Sequence, residues 1–130
     1  MKILTIRTDK SESEIGLYDD DKQLIYEVWQ AHRELSNTIH LRIKDILDSQ
    51  KLQLSDVDGI VCFKGPGSFT GLRIGLTVSN TLSYALSIPL VARQNPKWLE
   101  QGIKGILAGQ NDIIALPEYG EEPKTTKQKK

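Results

Sequence analysis

The sequence predicts an α/β fold, in which helices pack on a mixed five-stranded sheet. Three observations indicate this. Residues 1–30 contain short stretches that alternate apolar and polar side chains, as half-buried strands do, and residues 33–48 repeat apolar side chains with the helical period. An apolar run, Val57–Phe63, then leads through a glycine-rich turn into a second helix that ends before Pro89. Helical crossovers make the later strands parallel to a neighbour, whereas short turns leave the first three antiparallel.

The N-terminal strands are predicted at Lys2–Thr8, Glu14–Tyr18 and Gln23–Trp29, where they form an antiparallel meander. The turn Asp19–Lys22 joins the second strand to the third and begins with three consecutive aspartates. Consecutive side chains in a tight turn point in different directions. A solvated turn is therefore favoured over a metal site.

The first helix is predicted at Arg33–Asp48. Its main apolar residues share one face, namely Leu35, Ile39, Ile43, Ile46 and Leu47. Leu41 lies roughly opposite this face. Apolar groups on two sides of the helix indicate two packing partners.

The second helix is predicted at Ser68–Ser87, with Ser68 or Thr70 as its N-cap. Every fourth residue along one side is very small: Gly71, Gly75, Ser79 and Ser83. A glycine inside a helix costs about 1 kcal/mol relative to alanine, so the stripe predicts a compensating close contact, most simply with another helix. Two interpretations stay open. The helix packs on its own sheet and on a second surface, or the rest of its own domain covers it.

After the second helix the signals weaken. A short strand is predicted at Leu90–Ala92, a helix at Lys97–Leu107 and a last strand at Asn111–Leu116. From Pro117 the chain is predicted to be extended or disordered. The lysines near the end are interpreted as a solubilising tail, with contact to RNA phosphates as the alternative: Lys124, Lys127, Lys129 and Lys130.

Composition limits the classes of function. Lys plus Arg equals Asp plus Glu, 17 of each, so no global charge indicates a nucleic-acid or membrane surface. The apolar start is too short for a signal peptide, and no stretch is long enough to span a bilayer. Cys62 is the only cysteine, so we expect no internal disulfide, a reducing cytoplasm and a thiol that serves packing.

The glycine-rich turn Gly65–Gly71 matches none of the common catalytic or phosphate-binding motifs. A P-loop requires Lys-Ser or Lys-Thr after its last glycine, where this chain has Leu72 and Arg73. The dinucleotide pattern fails at Thr70, and a nucleophile elbow fails at Pro66. Surface or capping roles are favoured for both histidines, since no cysteine or carboxylate stands at metal-ligand spacing from them: His32 and His40. The sequence therefore predicts a protein that is not an enzyme and holds no cofactor or metal.

The stretch Gly65–Gly75 resembles the hallmark of the TsaB (YeaZ) family of tRNA threonylcarbamoyladenosine biosynthesis proteins. The similarity extends backwards to His32–Ser36 and Met1–Leu4, and forwards to Ile88–Val91. It covers roughly residues 1–92. The resemblance implies an actin-like (RNase H-like) fold, which agrees with the predicted order of strands and helices.

By this resemblance the chain is a non-catalytic subunit of a heterodimer with a TsaD-type transferase. That transferase places the threonylcarbamoyl group on an adenosine of tRNA, so contact with tRNA is indirect, and a TsaE-type ATPase is a further partner. Family members pair with the transferase through equivalent helices, which carries the interface role onto both predicted helices here. The candidate interface residues are Leu35, Ile39, Ile43, Gly71, Gly75 and Ser79. The resemblance does not decide which helix face meets the partner.

Two departures from the family pattern affect this interpretation. Relatives often carry Asp-Thr-Ser after the first strand, where this chain has Arg7-Thr8-Asp9, and a cation there argues against ATP hydrolysis. The segment after Arg93 is also short. The predicted organisation is an actin-like lobe at 1–92, a reduced remnant of a second lobe at 93–116 and a lysine-rich tail at 117–130, so functions of the second lobe, including recruitment of the ATPase, are in question.

Two alternative functions follow. One is an actin-like enzyme that binds a nucleotide at the glycine-rich turn. The other is a homodimer uncoupled from the transferase, because a helix pair that fits a paralogue can also fit a second copy of itself.

Overall fold

The computed structural model describes residues 1–31 and 34–118. Five strands and three α-helices follow one another in this part of the chain, with a short 3₁₀ turn at Leu54–Asp56 before the fourth strand. The elements are β1 (Lys2–Arg7), β2 (Glu12–Asp19), β3 (Lys22–Gln30), α1 (Leu35–Ser49), β4 (Gly59–Phe63), α2 (Phe69–Leu86), β5 (Leu90–Arg93) and α3 (Trp98–Leu107).

The strands form one mixed sheet in the order β3-β2-β1-β4-β5. The pairs β1–β2 and β2–β3 are antiparallel, as short turns require. The pairs β1–β4 and β4–β5 are parallel, because α1 and α2 carry the chain back between them. The predicted mixed five-stranded sheet is confirmed.

Helices cover the sheet on both faces. The larger core lies under α1 and α2, where Ile39, Ile46 and Ile60 are fully buried. The smaller core lies under α3, which packs on β4 and β5. There the rings of Phe63 and Trp98 meet edge to face, with centroids 5.8 Å apart.

The predicted last strand, Asn111–Leu116, is wrong. This segment lies along the outer edge of β5 without forming a ladder, because its side chains take the hydrogen-bonding groups of that edge. Asn111 Oδ1 accepts from Leu90 N at 3.1 Å, and Asp112 Oδ2 accepts from Ala92 N at 2.8 Å. Ile113 then has a φ of 72°, which is incompatible with a strand.

The helix boundaries agree with the predictions to within two residues where they are described. The predicted start of the first helix, Arg33, lies outside the described residues together with His32, and the lysines of the tail lie outside them as well. The division at residues 92 and 116 stays a prediction, although α3 packs on the same sheet as the rest of the lobe. Across residues 1–31 and 34–118, no helix has the length and apolar character needed to cross a membrane.

Candidate functional site

The glycine-rich turn positions the start of α2 beside the end of β1. Gly65 has a φ of 125°, and a Cβ at this position would overlap the carbonyl oxygen of Glu118, so glycine is required. Ser68 N donates to Asp9 O at 2.8 Å. Ser68 is the N-cap of α2, and its Oγ accepts from Gly71 N at 3.4 Å. Of the two predicted caps, the structure selects Ser68.

The stripe of small residues on α2 faces the chain's own sheet. A Cβ on Gly71 would lie well under 3.0 Å from the carbonyl oxygen of Thr8, and one on Gly75 would do the same with Thr8 Oγ1. That hydroxyl donates to Gly71 O at 2.7 Å. Ser79 is fully buried and donates to Gly75 O at 2.8 Å. The close contact that the glycines predicted is therefore made with the residue after β1, and not with another helix.

The candidate interface residues on α1 are also internal. Leu35, Ile39 and Ile43 are at most 5% exposed and belong to the larger core. With Gly71, Gly75 and Ser79, all six candidate interface residues lie against the chain's own sheet. Their assignment to a partner interface stays a prediction.

A groove runs between α1 and α2, and we call it the helix groove. Its middle section is a cavity of about 450 Å³, with Ser36 and His40 on one wall and Ile74, Thr77 and Val78 on the other. A second cavity of about 370 Å³ continues it toward the end of α1, and the two share His40. Leu47, Leu52 and Leu82 give this second section apolar walls.

The third section of the helix groove is a cavity of about 350 Å³ at the start of both helices. We call it the end cavity. It shares Thr70 and Ile74 with the middle section, so the three cavities adjoin. Sequence reasoning missed the groove, because the helical period does not fix the distance between two helices.

Large apolar side chains are exposed on α1 and α2. Leu41 of α1 is 62% exposed and Tyr84 of α2 is 88% exposed. Leu41 was predicted to make a second packing contact. In the isolated chain it faces solvent, together with the outer surface of α2.

The residues after β1 form a closed ion pair. Arg7 Nε donates to Asp9 Oδ1 at 2.7 Å, and Arg7 Nη2 donates to Asp9 Oδ2 at 3.1 Å. The hydrogen bond that Arg7 donates to this carboxylate raises the pKa of Arg7, and the guanidinium lies 4.1 Å from the ring centroid of Phe63. Both oxygens of Asp9 are thus engaged by a cation.

Cys62 and the aspartate turn also have structural roles in this fold. Cys62 is 1% exposed in β4, and burial raises the pKa of its thiol to about 12. The thiol is therefore protonated at neutral pH and unsuited to nucleophilic attack. In the turn, Asp20 Oδ1 accepts from the amino group of Met1 at 2.9 Å. Within the described parts of the chain, no group of three or more His, Cys, Asp or Glu side chains is placed to hold a metal ion.

Comparison with known proteins identifies the family. The family model described as TsaD, tRNA N6-adenosine threonylcarbamoyltransferase, matches residues 29–99. The tRNA threonylcarbamoyladenosine biosynthesis protein TsaB of Buchnera aphidicola subsp. Schizaphis graminum is 30% identical over 126 residues, which are 92% of this chain and 59% of that protein. TsaB of Escherichia coli K12 is 29% identical over 107 residues, 78% of this chain and 44% of that protein. The chain thus spans about half the length of the curated relatives it matches.

Comparison with solved structures agrees with this family and with the fold. YeaZ from Pseudomonas aeruginosa superimposes with a TM-score of 0.68 at 27% identity, over 78% of this chain and 50% of YeaZ. RuvC from Thermus thermophilus gives a TM-score of 0.52 at 12% identity, over 95% of this chain and 86% of RuvC. At that identity RuvC supports the RNase H-like fold alone. Since the family model covers more than half of the sequence, the chain belongs to the TsaD family as that model describes it, and it is a TsaB/YeaZ-type protein.

Proposed function

We propose that this chain is a non-catalytic subunit that supports tRNA threonylcarbamoyladenosine biosynthesis in the cytoplasm by binding a TsaD-type transferase. The names of its relatives support the pathway. The helix groove is the observation that carries the binding role. A TsaE-type ATPase is a further partner in this proposal, and contact with tRNA passes through the complex.

The shape of the helix groove suits a helix from a partner. Its sections adjoin along both helices, and the walls combine Ile74, Val78 and Leu82 with a polar rim at Ser36 and Thr77. An amphipathic helix binds such a groove by laying its apolar face between two helices. The partner proposed here is a member of the same family, so its own sheet carries an equivalent pair of helices. Two such pairs form a four-helix layer that covers Leu41 and the outer face of α2.

The environments of a cysteine and an aspartate that could act in catalysis support a non-catalytic role. Cys62 is buried and protonated at neutral pH, and Asp9 is held by Arg7 through both oxygens. Each oxygen of this carboxylate thus already accepts a hydrogen bond from the guanidinium of Arg7. We assign both residues to the stability of the lobe.

The experiment compares two substitutions that each replace an exposed apolar side chain with glutamate, on opposite sides of the sheet. Leu41→Glu places a carboxylate on the outer face of α1, where Leu41 is 62% exposed. Val28→Glu is the matched control. Val28 is 52% exposed on β3, and its neighbour Trp29 faces α1, donating to Thr38 Oγ1, so Val28 lies on the sheet face away from α1 and α2. A third variant, Thr77→Arg, fills the middle section of the helix groove from an exposed position.

Each tagged variant is co-purified with the TsaD-type transferase of the same organism, and masses are measured by light scattering. We expect a one-to-one complex for the wild type and for Val28→Glu. Leu41→Glu and Thr77→Arg should each weaken the complex about tenfold or more, the loss expected of a central interface residue. Equal affinity of all variants would remove the helix groove as the binding site. A wild-type chain that forms only a homodimer would refute the proposed function.

A further inference from the structure

The middle section of the helix groove lies between the end cavity and the second section. It shares Thr70 and Ile74 with the end cavity, and it shares His40 with the second section. A partner helix that occupies the whole groove therefore passes over the middle section. The groups that line this section decide which side chain the partner can place at the centre of the contact.

The polar groups of the middle section are basic side chains and hydroxyls. His40 of α1 and Arg73 of α2 are both exposed and both line the cavity. Three hydroxyl side chains accompany them: Ser36, Thr70 and Thr77. Among the described residues that line this section, none is acidic. Because guanidinium, imidazolium and hydroxyl groups all donate hydrogen bonds, the lining suits an acceptor that carries a negative charge.

The charged groups around His40 come from both helices. On α1, Lys44 and Asp48 line the second section together with His40, and Lys44 Nζ donates to Asp48 Oδ2 at 3.0 Å. On α2, Arg73 is the charged residue in the lining. Residues 52–54 also line the second section and carry no charge. Asp48 is thus the one carboxylate among the described residues that line these two sections, and Lys44 already binds it.

These charges favour a different protein over a second copy of this chain. When the groove of one copy covers the groove of another, a two-fold axis brings like surfaces together, so His40 and Arg73 would meet their own counterparts. Like charges in opposition weaken an interface and select against the wrong partner. A nucleic acid is also disfavoured, because its sites present a stripe of cations, whereas Ile74 and Val78 give this section an apolar wall.

We propose, resting on the proposed function, that the middle section binds an aspartate or glutamate side chain of the transferase helix that occupies the helix groove. His40 makes this contact dependent on pH, because histidine gains its positive charge as the pH falls below neutral. A carboxylate beside His40 stabilises the imidazolium, so the complex takes up a proton that the separate chains release. Association should therefore become tighter as the pH is lowered.

The test measures the Kd of the full chain for the transferase by calorimetry, at about pH 6 and about pH 8. We expect the wild type to bind about fivefold more tightly at the lower pH, as for one additional ion pair in an interface. His40→Gln keeps a polar side chain that never becomes charged, and it should lose this difference. His32→Gln is the matched control, because it replaces the chain's other histidine, and it should keep the difference. Groups of the transferase that titrate in this range affect all variants equally.

Charge reversal at the same position tests the sign of the partner's charge. His40→Glu would oppose the proposed carboxylate and should weaken the complex about tenfold or more at both pH values. Tighter binding of His40→Glu would identify a basic side chain on the partner and overturn the proposal.

The remaining outcomes separate this proposal from the proposed function. A complex with the same pH dependence in the wild type and in His40→Gln would overturn the carboxylate contact and leave the proposed function standing. A wild-type chain that binds no transferase at either pH would refute both. Binding of tRNA to the isolated chain that His40→Gln weakens, with the affinity for the transferase unchanged, would overturn the proposal in favour of an RNA phosphate.

Discussion

Replacing Gly75 with alanine tests which surface the small stripe of α2 packs against. A Cβ on Gly75 would collide with Thr8 Oγ1 and stand 3.0 Å from Thr8 Cγ2. Inserting one methyl group into a filled site costs about 1–3 kcal/mol. The Thr8 hydroxyl, which donates to Gly71 O at 2.7 Å, must also move, at a cost of about 1 kcal/mol. The better helix propensity of alanine returns about 1 kcal/mol. We expect Gly75→Ala to lower the free energy of unfolding by about 1–3 kcal/mol.

The assay is urea unfolding of the wild type, Gly75→Ala, Thr8→Ala and the double variant. Thr8→Ala removes the two atoms nearest to the added methyl group and leaves Thr8 Cβ at 3.1 Å as the closest atom. In the Thr8→Ala background, Gly75→Ala should therefore be neutral or stabilising by up to about 1 kcal/mol. The coupling between the two substitutions should be favourable and about 2 kcal/mol.

The opposite result would favour the other interpretation of the stripe. If Gly75 faced a partner chain, Gly75→Ala would raise the stability of the isolated chain through helix propensity, whatever residue stood at position 8. An unfolding free energy equal to or above that of the wild type would refute the packing described here.

Three further predictions concern buried groups. Asn80→Ala removes two hydrogen bonds to the backbone of Ala115, of 3.0 and 2.8 Å, and should speed proteolysis at the segment that carries Ala115; an unchanged cleavage rate would contradict the contact. Cys62 has a pKa raised from 9.0 to about 12 by burial, so the folded state holds its proton where the unfolded state loses it. The contribution of this thiol to the free energy of unfolding is thus complete below about pH 9 and falls above it by up to about 1.4 kcal/mol per pH unit. In urea unfolding from pH 8 to 11, the free energy of unfolding of Cys62→Ala should fall less steeply with pH than that of the wild type. Arg7→Ala leaves the carboxylate of Asp9 buried and unpaired, which should cost about 2–4 kcal/mol in thermal unfolding, and addition of Asp9→Asn should recover part of the loss.

Periodicity was sufficient to predict the elements of the sheet and its helices. The first three strands and the first two helices have apolar patterns typical of one type of element, and the Gly-Pro-Gly turn indicates where α2 begins. Periodicity wrongly predicted a strand at Asn111–Leu116, because Asn111 and Asp112 bind the β5 edge through their side chains. Alternation of apolar residues carries no information about such contacts.

The sequence could not predict which face of α2 packs on the sheet, for a different reason. A stripe of small residues indicates a close neighbour but does not name it. The neighbour here is Thr8, more than sixty positions earlier in the chain, and its hydroxyl and carbonyl occupy the space that side chains at Gly71 and Gly75 would need. Only the three-dimensional arrangement reveals that pairing.

The same packing explains why the helix groove exists. Because Gly71 and Gly75 let the first turns of α2 settle on Thr8, this end of the helix lies close to β1, while α1 contacts β2 instead. The two helices are thus anchored to different strands, and the space between them is left to side chains that are too short to fill it, such as Ser36 and Thr70. The glycines therefore help to set the depth of the proposed binding surface, although they do not line its middle section. A stripe of small residues that suggests an interface can act by shaping a groove beside it.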